Sequence, residues 1–177
     1  MTAAVFVDAN LVVYARDCRY PDKKAEAEKW LGTLWREQRA RTSVQVLNEY
    51  YTTVTRKLKP GLSADLAWED VQLMLAWNPQ PLDVRLLERA YEIENRYRLN
   101  WWDCLIVAAA QLQGCVLLLT EDMQDGAEYG SVIVRNPFIL RVAEEHTAYT
   151  PVAALPSRHR GRGRPRRIPP IPSAAAK

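Results

Sequence analysis

Two apolar patterns alternate along this chain: short unbroken runs, and stripes that recur every three or four residues. Val5-Phe6-Val7 is an apolar, β-rich run that ends at Asp8. Residues 9–16 are expected to form a short helix carrying Leu11, Val12 and Tyr14. Asp22 reads as the cap of a helix reaching about Gln38, with Ala25, Trp30, Leu31 and Leu34 as apolar positions. Arg41-Thr42-Ser43 reads as a brief extended segment. Val44, Leu47, Tyr51, Val54 and Leu58 then recur at helical spacing until Pro60-Gly61 stops them. Residues 63–77 predict another helix, with Leu66, Val71 and Leu75 on its apolar side, broken by Asn78-Pro79. Pro81-Leu82 reads as a minimal strand and 83–98 as an amphipathic helix. Residues 102–113 are nearly all apolar, so this helix should be buried. Gly114 ends it. Val116-Leu117-Leu118-Leu119 is a continuous apolar strand, as expected where both faces of a sheet are covered. Residues 131–135 predict a last strand, with a short helix after Pro137.

Strands and helices alternate, which predicts an α/β fold with a mainly parallel sheet. The pattern changes near Pro151. Residues 1–150 are expected to form one folded domain, and 151–177 a disordered tail rich in proline and arginine. Five of the eleven prolines and seven basic residues fall between Pro156 and Lys177, with no acid among them; residues 1–155 therefore carry a net charge of −4 against +3 for the whole chain. A mildly acidic body with a strongly basic tail points to an anionic partner for the tail, nucleic acid being the usual one. Its Arg160-Gly161-Arg162-Gly163-Arg164-Pro165-Arg166-Arg167 stretch looks like an AT-hook, a segment that lies in the minor groove of AT-rich DNA. The simpler account is a generic polybasic tail whose affinity is set by charge.

Cys18, Cys104 and Cys115 cannot all pair within one chain, and no two stand at metal-ligand spacing. A reducing, cytoplasmic setting is expected. The first residues lack the basic region and long apolar stretch of a secretion signal, and no apolar run is long enough to span a bilayer.

In open parallel sheets, sites form at the carboxyl ends of the strands. Asp8 directly follows the first strand, and Glu121 and Asp122 follow the 116–120 strand. If these strands are neighbours, their carboxylates converge. Asp103 opens the buried helix that leads into the second strand, and the loop before it could bring it to the same edge. Clustered carboxylates repel one another, so either some stay protonated or a divalent cation neutralises them. Hard oxygen ligands without His or Cys nearby favour magnesium or manganese. Such an ion activates water and stabilises charge on a phosphoryl oxygen, chemistry suited to phosphodiester hydrolysis. Each acid also has a purely structural account. Asp8 can cap the next helix, Asp103 can favour a helix dipole, and Asp122 and Asp125 can be turn residues. Glu49 lies about 160° from the apolar stripe of its helix, where a solvated glutamate is the default. Trp101 and Trp102 fit a core or interface better than a base-stacking platform.

Four segments occur in order: Phe6-Val7-Asp8-Ala9-Asn10, Ser43-Val44-Gln45-Val46-Leu47-Asn48-Glu49, Trp102-Asp103-Cys104-Leu105-Ile106-Val107-Ala108-Ala109-Ala110 and Leu118-Leu119-Thr120-Glu121-Asp122-Met123-Gln124-Asp125-Gly126. Over roughly residues 1–145 their order and spacing resemble the PIN-domain nucleases, particularly the toxin component of VapBC-type toxin–antitoxin modules. The resemblance implies a three-layer α/β/α sandwich and a Mg2+- or Mn2+-dependent endoribonuclease that hydrolyses RNA by activated water. It implies metal-binding, catalytic acids at Asp8, Glu49, Asp103 and Asp122, a hydroxyl near the site at Thr120, a homodimer and a cognate antitoxin. Asp125 is at most an extra acid. The basic tail is not part of that pattern. A haloacid-dehalogenase-like phosphatase also begins with Asp after its first strand, but it needs a second Asp where this chain has Asn10. No phosphate-loop glycine pattern is present. A nucleic-acid-binding protein without catalysis, acting through its tail, is the contrasting reading.

Overall fold

The computed structural model describes residues 3–139. The tail, its AT-hook-like segment and any helix beyond Ile139 lie outside the described residues.

Five strands, β1 (Ala4–Val7), β2 (Ala40–Arg41), β3 (Cys115–Leu119), β4 (Glu128–Tyr129) and β5 (Val132–Arg135), form one sheet in the order β2-β1-β3-β5-β4. All neighbouring pairs are parallel except β4–β5, which form an antiparallel edge. The helices are α1 (Ala9–Tyr14), α2 (Pro21–Arg36), α3 (Val44–Thr52), α4 (Ala64–Met74), α5 (Val84–Tyr97) and α6 (Trp101–Leu112). Because side chains alternate along a strand, the central strands β1 and β3 feed two cores. Val5, Val7, Leu117 and Leu119 pack with Leu11, Trp30, Leu34, Tyr50 and Val71 from α1 to α4. Phe6, Leu118, Val132 and Val134 face the opposite way, onto Leu86, Ile93 and the buried stripe Leu105–Ala110 of α5 and α6. The sheet is therefore covered on both faces, which explains its unbroken apolar strands. This is the expected α/β/α sandwich.

Several local expectations are corrected. Asp22 does not cap α2: Tyr20 occupies the cap without a side-chain bond, Pro21 opens the helix and Asp22 sits in its first turn. Proline suits that first position because its missing N–H would have no partner there. Pro81-Leu82 is not a strand; only Gln80 makes an isolated bridge, to Ser43. The stripes of three helices are rotated. Ala25 is exposed while Ala27 is buried. Val44 is exposed, with Val46 and Tyr50 inside. Leu66 and Leu75 face outward, and Ala67, Val71 and Met74 face in. The helix after Val44 closes in a π-helical turn (Thr53–Lys57), and the one after Ser63 in a 3-10 turn (Leu75–Trp77).

One partly buried polar knot ties three helices together. Asp70 of α4 accepts two hydrogen bonds from the Arg16 guanidinium, just beyond α1, and a third from the Tyr50 hydroxyl of α3. Burial and the Asp70 carboxylate both push the Tyr50 phenol above its ordinary range, so it stays protonated as the donor. Asp70→Ala would strand a buried hydroxyl. The expected loss is about 2 kcal/mol of unfolding free energy, read as a lower denaturant midpoint with an unchanged slope. An unchanged midpoint would show the knot to be energetically neutral.

Candidate active site

The parallel register fixes the centre of the site. Val7 pairs with Leu119, so the next residues of the two strands, Asp8 and Thr120, emerge side by side at the carboxyl edge of the sheet. The Asp8 amide still donates to the Leu119 carbonyl (3.1 Å), and the Thr120 amide to the Arg135 carbonyl (3.0 Å), which anchors both backbones. The Thr120 hydroxyl donates to Asp8 Oδ2 at 2.7 Å. It accepts from Asn10 Nδ2 at 2.8 Å and from the Asp122 amide at 3.1 Å. Asp8 Oδ1 accepts from the Ala9 amide at 2.7 Å, so Asp8 does cap α1, as its structural account required.

Asp8 is only 8% exposed. Burial raises its pKa from 3.8 to about 7, against the hydrogen bonds from Thr120 and Ala9, and the negative charges of Glu49 and Asp122 add to the rise. Both acids thus bear on Asp8. Ser43 explains the position of Glu49: it follows β2 at the same sheet edge and caps α3 through a bond from the Val46 amide at 3.3 Å. Glu49 faces away from the core, as its periodicity required; that outward direction leads to the sheet edge.

Asp103 stands in the first turn of α6. Helix α6 turns back into β3 through Gln113-Gly114, with Gly114 at a φ of +65°. Twelve helical residues and five strand residues both span roughly 16–18 Å. The start of α6 therefore lies level with the carboxyl end of β3. The Asp103 side chain is bonded to Asn100 Nδ2, whose own Oδ1 caps the helix at the Asp103 amide (3.0 Å). Burial pushes the Cys104 thiol and the Tyr129 phenol up, and the Asp103 charge adds to the rise of both. The structure thus sets Thr120 against Asp8, with the charges of Glu49 and Asp122 bearing on the same carboxyl, and Asn100 holds the Asp103 side chain in the first turn of α6.

Two other acids are spoken for. Glu121 forms an ion pair with Lys23, whose ammonium also bonds the Tyr14 hydroxyl at 3.0 Å. Asp125 accepts from the Asn136 amide at 2.8 Å and faces Arg135 at 3.5 Å, so it braces the turn after β3. Asn10 entered the expectations only as a position where a phosphatase would need Asp, yet it bridges Thr120 and Asp8; its place two residues after a strand-ending Asp was the available signal.

Among the described residues, no three acid, His or Cys side chains already enclose a metal-sized space. The donor set nevertheless suits a hard divalent cation. Asp8 is buried with neutral hydrogen-bond partners and two acidic neighbours, and the buried Asn10 Oδ1 has no partner. All these donors are oxygens.

A parallel sheet covered on both faces, with acids at its carboxyl edge, defines an α/β protein whose site chemistry is acidic and oxygen-based. The chain belongs to the PIN domain family, whose model matches residues 5–124. PIN domains are typically nucleases. Among solved structures, a chain of a toxin-antitoxin complex from Klebsiella pneumoniae is similar in fold, with a TM-score of 0.55 and 19% identity over 76% of this chain and 98% of that one. No curated protein sequence matches. Among the described residues no helix is long and apolar enough to cross a membrane.

Proposed function

We propose that this chain is a Mg2+- or Mn2+-dependent endoribonuclease, the toxin of a toxin–antitoxin pair. The observation that carries the reading is the buried Asp8 carboxyl, raised to about 7 beside Glu49 and Asp122. A group so placed is unstable as a bare anion and favourable as a cation ligand. Asp8, Asp122, Glu49 and Asp103 would hold the ion. When bound, it supplies a more acidic water and a positive charge for the phosphoryl oxygens. Thr120 and Asn10 keep Asp8 oriented, as hydrogen-bond partners of ligands generally do. The Asp122 amide bond to Thr120 fixes the turn that carries Asp122.

The fold also supports a protein partner. A groove of about 340 Å³ between α1, α2 and α4 exposes Trp35 and Leu73 beside Arg16 and Glu28. A small antitoxin and a second copy of this chain are the proposed partners. Residues 1–150 would form the nuclease domain, with 151–177 as a basic tail that adds affinity for phosphates.

A mixed RNA pool tests the reading. Cleavage is expected with Mg2+ or Mn2+ and should vanish in EDTA. Removing 156–177 should raise KM for long RNA and flatten its salt dependence, with little change in turnover of a short substrate. Full-rate cleavage in EDTA would overturn the metal mechanism.

A further inference from the structure

A second groove, of about 460 Å³, opens beside Glu49. Gln45, Asn48, Glu49, Lys57, Leu82 and Trp102 are among its lining residues. Glu49 belongs to both places: it lines this groove and its charge bears on Asp8. A molecule in the groove therefore lies next to the site where a phosphodiester would be cut.

Trp102 is the unusual member. It sits in the first turn of an otherwise buried helix, directly before Asp103, yet it is 63% exposed. Its neighbour Trp101 packs against the core, while Trp102 does not join it. Leaving most of an indole in water forgoes the gain from burying a large apolar surface. Lys57 adds an exposed positive charge to the groove, opposite in sign to Glu49. Gln45 contributes an incompletely bonded amide: its Oε1 is buried without a hydrogen-bond partner. Rotating that amide into the groove would let it accept from an N–H, recovering the missing bond.

An indole face, an ammonium and amides that can bond an edge are what an unpaired nucleotide requires. Bases stack on aromatic faces, phosphates pair with lysine, and side-chain amides read base edges. The groove has the volume of a small-ligand pocket. We propose that Trp102 is a stacking platform for one unpaired base of the RNA strand, with Lys57 on its phosphate and Gln45 and Asn48 facing its edge. The site would then favour single-stranded RNA with a base next to the scissile bond. This inference rests on the nuclease reading above.

The test uses the full chain and an eight-nucleotide single-stranded RNA in EDTA, with binding followed by quenching of tryptophan fluorescence and by anisotropy of an end label. Trp102→Ala should raise Kd about tenfold or more, the usual scale for losing one stacked base. Trp102→Leu, which keeps an apolar side chain without the aromatic face, should do nearly the same, and Trp102→Phe should stay within about threefold of wild type. An oligonucleotide with one abasic position at the stacked nucleotide should bind wild type and Trp102→Ala alike. Equal affinity of Trp102→Ala and wild type for the intact RNA would overturn the proposal. So would a loss of self-association in Trp102→Ala with RNA affinity unchanged, since the indole would then cover an interface between copies. If wild type binds RNA through Trp102 but cuts none with Mg2+ or Mn2+, the catalytic reading fails and the stacking site stands. If it cuts RNA and Trp102 is indifferent, only the stacking site falls.

Discussion

Asp8→Asn should reduce RNA cleavage at least a thousandfold and yet make the protein harder to unfold at pH 8. Both effects follow from the position of one carboxyl. Asp8 ends β1 at the sheet edge, buried among neutral partners and two other acids. The amide keeps the shape but removes the charge that would hold a cation. The loss of rate should exceed the 10–100-fold typical of residues that merely support a ligand. The stability effect has a definite sign. A carboxyl raised from 3.8 to about 7 binds its proton more tightly in the folded chain than in the unfolded one. Stability from this group is present at low pH and is lost as pH rises from about 4 through about 7. Ionised Asp8 then costs about 4 kcal/mol, which Asn would not incur. Replacing one carboxylate oxygen by an amide nitrogen disturbs the bond from Thr120, at a cost of about 1–2 kcal/mol. The net gain at pH 8 without metal is about 2 kcal/mol, or roughly 4–8 °C in Tm for a chain of this size. At pH 4 the gain should disappear. Melting curves at the two pH values check the sign, and a rate assay checks the chemistry. A variant that cuts RNA at the wild-type rate would remove Asp8 from the site. A Tm difference independent of pH would mean that its ionisation is not what strains the fold.

Thr120→Val should be nearly as damaging, although the side chain carries no charge. The hydroxyl is buried and fully used: it donates to Asp8 Oδ2 and accepts from Asn10 and the Asp122 amide. Valine fills the space but satisfies none of the three. Two donors lose their shared acceptor, which should lower stability by about 2–3 kcal/mol. The bond from Thr120 also favours ionised Asp8. Without it, the pKa of Asp8 rises further, so the acid limb of the pH–rate profile should move to higher pH. Cleavage near neutrality should fall about 10–100-fold, the scale for residues that orient ligands. Thr120→Ser keeps the hydroxyl and should recover most of the rate and the pH midpoint. If Thr120→Val lost stability but kept both the rate and the pH profile, the hydroxyl would serve the fold alone.

The layers were legible in the apolar runs alone. The unbroken run Val116–Leu119 reads as a strand covered on both faces, and the longer apolar stretch after Trp102 as a buried helix, with Gly114 separating the two. Alternation of such segments leads to a parallel sheet, and Asp8 was legible as a strand-end acid. Helix faces were less legible. One rotation of the stripe exchanges Leu66 for Ala67 or Val44 for Val46, and small residues bury well where helices approach closely, so hydrophobicity alone misassigns the inward side. Tertiary structure decided which acids meet. Glu49 lay on the solvent side of α3, and only the placement of that helix after β2 turned the outward face toward Asp8. Glu121 and Asp122 are adjacent and chemically similar in sequence; Lys23, nearly a hundred positions away, neutralises the first and leaves the second to act on Asp8. Parallel pairing of β1 with β3 placed Thr120 against Asp8 and burial raised its pKa, because both depend on contacts between segments more than a hundred residues apart. Trp102 shows the same division: its apolar character is plain in the sequence, but its exposure follows from the orientation of α6 against the sheet.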